Sequence, residues 1–350
     1  MNIAPIPEER NCEPPLRPLI ASLWRLGLAG ERTGRARPGS LLREANHVTK
    51  ALLNPASARQ WFRFLETFAC CNDLPAARRE VAMKPFGNYA VNGLAVAERV
   101  ALLRWHYLTA AQLLPRKLLA SLWTYAGVEL GQVTGKSGRI YRLSLDAPVH
   151  CSKEGEYTLT FADATDGLIL AQLTFVFACL DAPTPEKILL IGGLQGPSSF
   201  HGPIAKGRVV KATRDLAGLR PKMAVFVAAS ALAAAAGATD LRAVSNETHT
   251  INADASYQRK RLHADYDAFW FERQGVPDSL GFRLPLDHGP KANRAARNDK
   301  RAQVAALIER LFAAEAPSIY AGPAHCRFDM PAISQTPVEM PERRVLLSGA

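Results

Sequence analysis

Apolar residues recur at three- and four-residue spacing through the first third of the chain. SARQWFRFLETFACC and AERVALLRWHYLTAAQLL both carry this spacing, which makes one face of a helix apolar. The helical pattern runs from Leu19 to about Leu122, punctuated by Pro55 and Pro75. Between about Gly127 and Leu180 the period falls to two. There IYRLSL, YTLTFAD and LILAQLTFVFACL predict consecutive antiparallel strands, with turns at Lys153, Glu154 and Gly155 and at Asp163 to Gly167. KILLIGGLQG is an apolar strand ending in glycines, and a gap of about twenty residues follows it. AGLRPKMAVFVAASALAAAAGA is a helix with Pro221 in its first turn and Gly237 at its stop. TDLRAVSN is the next strand, residues 253–275 read as helical, and FRLPL is a short last strand before a basic linker and one more helix.

The predicted fold class is therefore α+β: a helical subdomain over residues 19–125, then a mixed sheet with flanking helices over residues 126–320. Prolines at positions 5, 7, 14, 15 and 18 make residues 1–18 a flexible leader, and the proline-rich residues 321–350 an irregular tail.

Composition narrows the partners. Across 350 residues the net charge is +11, with 48% hydrophobic and 21% charged residues, which suits a globular chain drawn to anions. Arginines dominate the excess and are scattered, so charge alone does not choose between a nucleotide-bearing co-substrate, a phosphorylated ligand and an acidic membrane surface. The six cysteines show no CxxC or Cys/His spacing, so no metal site is expected, and most read as buried small hydrophobes in a reducing compartment. MNIAPIPEERNCEPP lacks the basic start and apolar run of a signal peptide, and Met223 to Ala238 falls short of the ~20 residues that cross a bilayer. A cytoplasmic location is the expectation.

Candidate chemistry gathers between Ile188 and Gly275. Gly218, Leu219, Arg220, Pro221 and Lys222 open the alanine-rich helix. The first amides of a helix carry the positive end of its dipole, glycine permits close backbone approach, and Arg220 and Lys222 add full charges, so the segment suits a phosphate. A proline-initiated helix with solvated basic residues fits the same letters. The absence of GxxxxGK[ST] and of G-x-G-x-x-G disfavours a kinase or an NAD-dependent enzyme, and without G-x-S-x-G a serine hydrolase has no support. After the next strand, Asn246 could fix a carbonyl or amine and His249 could move protons, or Asn246 could cap a helix and His249 bond a backbone carbonyl. Tyr266, Phe269 and Trp270 share one helical face and read first as a wall, while Asp265 and Asp267 diverge and could pair with Arg259, Lys260 and Arg261.

LLIGGLQG, GLRPK, AVSN with His249 beyond it, DYDAFW, Gly275 and FRLPL, in that order, resemble the VirK/YbjX family of bacterial proteins over about residues 50–320. That resemblance implies a Gram-negative origin and links to envelope virulence and antimicrobial-peptide resistance. The order strand, glycine-basic loop, helix, strand, aromatic helix and glycine is also similar to the core of GNAT-type N-acyltransferases. It implies a GNAT-like sheet, an acyl-CoA or acyl-carrier thioester co-substrate and a small-molecule or peptide amine acceptor. By that likeness Gly218, Leu219, Arg220 and Lys222 hold the donor's phosphates, and Ile191 and Gly192 lie where a backbone amide meets the thioester oxygen. Asn246, His249 and Tyr266 then serve the chemistry, since Phe271 stands where such enzymes often carry a tyrosine. The alternative is a non-enzymatic envelope-associated factor whose basic helical half binds anionic lipid or polymer. Nucleic acid is a weaker partner, because the charge permits it but no known module appears.

Overall fold

The computed structural model describes residues 38–148, 151–181, 185–197, 202–253, 265–286 and 295–313. The expected leader and tail lie outside these residues.

The chain begins with helices α1 (Pro38–Leu53), α2 (Pro55–Cys71), α3 (Arg79–Met83), α4 (Val96–Leu113) and α5 (Arg116–Trp123). Pro55 fits the first turn of α2, where its missing N–H costs nothing. Four residues of α2 at helical spacing, Trp61, Phe64, Leu65 and Phe68, are buried; Trp61 and Phe68 meet Tyr107 of α4, and Phe68 also meets Trp123 of α5. Strands β1 (Val128–Thr134), β2 (Ile140–Asp146), β3 (Tyr157–Asp163), β4 (Ile169–Asp181) and β5 (Pro185–Gln195) follow as an antiparallel meander. Next come α6 (Gly202–Asp215), α7 (Pro221–Ala235) and β6 (Asp240–Ala243), then α8 (Tyr266–Phe271), β7 (Val276–Asp278), β8 (Gly281–Leu284) and α9 (Ala295–Ala313).

One eight-stranded sheet results, in the order β1-β2-β3-β4-β5-β6-β8-β7. Every neighbouring pair is antiparallel except β5 and β6, which run parallel from Ile188 opposite Asp240 to Ile191 opposite Ala243. Two parallel neighbours need a crossover, and α6 and α7 supply it. All seven residues of β3 are buried, so helices cover both faces of the sheet centre. On one face His106 of α4 stacks on Phe177 and meets Tyr157 edge-on. The buried apolar residues of helices and sheet form one continuous cluster from Ala51 to Ile308, so residue 125 marks a change of secondary structure rather than a break in the core.

A buried carboxylate ties the halves together. Glu156 accepts from Lys84 Nζ at 2.5 Å, from the Tyr89 hydroxyl at 2.7 Å and from the Tyr107 hydroxyl at 2.5 Å. Burial and the Glu156 charge push both phenols well above their ordinary range, so they remain donors.

Three sequence expectations change. The gap after KILLIGGLQG contains α6, whose polar, glycine-containing sequence hides it. The strand in TDLRAVSN is only Asp240–Ala243. Of the helix expected over residues 253–275, the described part is the single turn α8, with a 3₁₀ turn at Thr250–Ala253, while residues 254–264 and the expected partners Arg259, Lys260 and Arg261 fall outside the described residues. No helix among the described residues is long and apolar enough to cross a membrane.

Candidate functional site

The parallel pairing of β5 and β6 ends abruptly. Val244 N–H donates to the Ile191 carbonyl at 3.0 Å, and the chain then turns away from β5. A hydroxyl-locked turn makes that departure: Ser245 N–H donates to Thr248 Oγ1 at 2.8 Å and Thr248 N–H to Ser245 Oγ at 3.0 Å. Strand β5 continues to Gln195 alongside β4, with a bulge at Gly192, between the Phe175–Ile191 and Thr174–Gly193 pairs. The wedge so opened is filled from α8. The Tyr266 hydroxyl accepts the Leu194 N–H at 3.3 Å, and Trp270 Nε1 donates to the Val244 carbonyl at 2.8 Å.

Three sequence candidates meet at this wedge. His249 stacks on Tyr266 with ring centroids 5.2 Å apart, and both are buried. Asn246 holds the start of α8: its Oδ1 accepts the Tyr266 N–H at 2.9 Å, its Nδ2 donates to Asp265 at 3.0 Å and its N–H to Asp267 at 2.7 Å. Asn246 therefore acts as a staple for Tyr266, and Asp265 and Asp267, paired with it, close that staple. Burial foremost, then the Glu154 charge, pushes the Tyr266 phenol up, so it stays protonated.

Sequence reasoning missed the carboxylate at the centre. Glu154, in the turn between β2 and β3, lies on the β5 bulge. A Cβ at Gly192 would stand 1.8 Å from the Glu154 carbonyl oxygen, and one at Gly193 1.7 Å from Glu154 Oε2. The glycines of GGLQG are thus the seat of Glu154, the close approach for which glycine is used. Gln195 Nε2 donates to both carboxylate oxygens, at 2.9 and 3.2 Å. His249 Nδ1 accepts the Ile251 N–H at 3.2 Å, so the neutral ring carries its proton on Nε2, which lies 3.6 Å from Glu154 Oε1. Cys151 sits in the same turn, and burial, with the Glu154 charge, pushes its thiol up to about 12; it is not a thiolate nucleophile. A strap from the helical half fixes the two loops: Ala90 N–H donates to the Lys153 carbonyl at 2.8 Å, Asn92 N–H to the Thr248 carbonyl at 2.7 Å, and Val91 bridges His249.

The expected phosphate loop has a different construction. Gly218, at φ +86°, donates its N–H to the Thr213 carbonyl at 2.7 Å, and Leu219 donates to Leu216 at 3.0 Å. These amides close the end of α6 and so are engaged within the protein. Side-chain charge remains. Lys222 reaches back beneath Gly196 at the end of β5, with its ammonium 5.9 Å from the centre of the Phe269 ring. The Arg273 guanidinium lies 3.6 Å from the centre of the same ring. Beyond it, Arg220, Arg273, Arg297 and Arg301, with Glu272, line an open cleft of about 360 Å³.

The chain matches the family model described as "Protein of unknown function (DUF535)" over residues 39–305. It is also 28% identical, over 285 residues, to "Uncharacterized protein YbjX" of Escherichia coli (strain K12), covering 79% of this chain and 84% of that protein. No solved structure matches.

Proposed function

We propose that acyl transfer is the activity of this chain, which belongs to the DUF535, or VirK/YbjX, family of bacterial proteins. The reaction moves an acyl group from a thioester, on coenzyme A or an acyl carrier, to an amine. One observation carries the reading: where β5 and β6 part, the Leu194 N–H donates to the buried Tyr266 hydroxyl, which leaves the proton of that phenol to donate. A phenol polarised in this way matches one place where negative charge develops in thioester aminolysis, the departing sulfur. The bulge at Gly192 shifts the register of β5 by one residue, and pairing with β4 resumes at Thr174–Gly193.

The same arrangement supports a donor lying across the end of β5. Its thioester would reach Tyr266 at the edge of the wedge, and its phosphates the charges at the start of α7, with Lys222 nearest the wedge and Arg220 further out. Holding donor and acceptor together here supplies catalysis mainly by positioning and by fixed dipoles.

Thiol release measures this directly. Purified protein is mixed with acetyl-, octanoyl- and palmitoyl-coenzyme A and with octanoyl-pantetheine, each with excess methylamine, and free thiol is followed by a colorimetric reagent. At least one donor should show saturable, protein-dependent release that falls at least tenfold in Tyr266→Phe. If none of the four thioesters binds or releases thiol faster than buffer, the acyl-transfer reading is wrong.

A further inference from the structure

Glu154 is held in a way that a mere turn residue does not need. Its side chain is 12% exposed, yet among the described residues it forms no ion pair with a lysine or arginine; His249 Nε2 lies 3.6 Å away and the Cys151 thiol bonds to it. Gln195 steers both oxygens, and Gly193 gives up a side chain to make room for them. His249 Nε2 is buried, makes no hydrogen bond among the described residues, and faces Glu154 Oε1. A buried donor and a carboxylate oxygen thus stop just short of a hydrogen bond, 3.6 Å apart beside the wedge. The groups facing Glu154 are His249 from the turn after β6, Tyr266 from α8, and Cys151 from its own turn.

The geometry points to Glu154 as the group that binds the acceptor's ammonium and takes its proton, with Gln195 and His249 as positioning residues; this rests on the acyl-transfer reading. The acceptor is thus a primary amine that arrives protonated, because a carboxylate set among an imidazole, an amide, a thiol and a phenol, with no lysine or arginine paired to it among the described residues, favours a cation. In the reaction one ammonium proton passes to the Glu154 carboxylate and then to solvent. The freed amine attacks the thioester carbon, the C–N bond forms and the C–S bond breaks. The second proton ends on the departing sulfur through the Tyr266 hydroxyl, which gives one proton and regains one. The third stays on the amide product.

Glu154→Gln tests it, since the amide keeps the length of the side chain and an acceptor for Gln195. Thiol release from the best coenzyme A thioester, with methylamine, is measured beside equilibrium binding of that thioester. Glu154→Gln should lower kcat/KM by about 10²–10⁴-fold, the span of general-base catalysis, and leave donor binding within twofold. Glu154→Asp, which keeps the base but shortens its reach, should lie between the two. Equal kcat/KM in Glu154→Gln and wild type overturns the assignment while leaving acyl transfer standing. A wild type that neither binds nor cleaves any donor overturns both.

Discussion

The two glycines of the β5 bulge make opposite predictions although they are adjacent. At Gly192 a methyl group would lie 1.8 Å from the Glu154 carbonyl oxygen and 2.8 Å from its carbon. Those are backbone atoms, so the whole turn must retreat by over about 1 Å before the contact becomes tolerable. Retreat stretches the Ala90–Lys153, Glu154–Cys151 and Glu156–Phe175 backbone bonds, now 2.8, 2.8 and 3.1 Å. At about 1 kcal/mol for each weakened bond, with some overpacking strain, Gly192→Ala should cost about 2–4 kcal/mol. At Gly193 the methyl meets only the carboxylate, 1.7 Å from Oε2 and 2.6 Å from Cδ, and a side-chain end can rotate away. Gly193→Ala should cost under about 1 kcal/mol and still abolish most thiol release, because Glu154 leaves Gln195 and His249. Urea unfolding followed by circular dichroism, beside the thiol assay, reads both quantities. Equal destabilisation by the two substitutions, or a fully active Gly193→Ala, would refute the claim that these glycines seat Glu154.

Three further outcomes follow from the buried charges. Lys84→Met removes the cation from Glu156, and leaving that carboxylate with two phenols should cost about 3–5 kcal/mol in urea, part of it recovered by also making Glu156→Gln. Arg242 lies among Asp240, Glu186 and Asp278, which β6, β5 and the β7–β8 hairpin supply, so Arg242→Met should destabilise by a similar amount, and unfolding midpoints compared with wild type would show it. Burial alone would raise the Asp163 carboxyl, but bonds from Arg208, Thr165 and Arg139 outweigh it and hold it at about 2. A carboxyl depressed below its unfolded value of about 3.9 stabilises above that pH and loses the effect as pH falls toward 2. Stability measured between pH 5 and 2 should therefore fall less steeply in Arg208→Ala, which lacks the strongest of those bonds.

The legible parts of the fold were those whose signal is local. Strands β2, β3 and β4 announce themselves by β-branched and aromatic residues between turn letters, and α7 by Pro221 at one end and Gly237 at the other. Helix α6 has few apolar residues and glycines at 202 and 207, so its sequence resembles a loop. At the site, Asn246, His249 and Tyr266 were within reach because they follow a strand end and an aromatic helix, and the structure brings all three to one wedge. Glu154 was not. Its sequence context, Lys153-Glu154-Gly155, is that of any turn, and its partner Gln195 is 41 residues away. The signal that existed was indirect: paired glycines inside an apolar strand mark a close approach, but do not say what approaches. At the start of α7 the letters were ambiguous, because Gly218 reads equally as the opening of α7 and as the close of a helix α6 that the sequence concealed.

The most direct measurement is an amide-resolved NMR titration of uniformly ¹⁵N-labelled protein with the best coenzyme A thioester. The account predicts the largest shifts at the Gly193 and Leu194 backbone amides and the Gln195 side-chain amide, with smaller ones near Lys222. Shifts confined to the arginine-lined cleft, or none at saturating donor, would contradict a thioester site where β5 and β6 part.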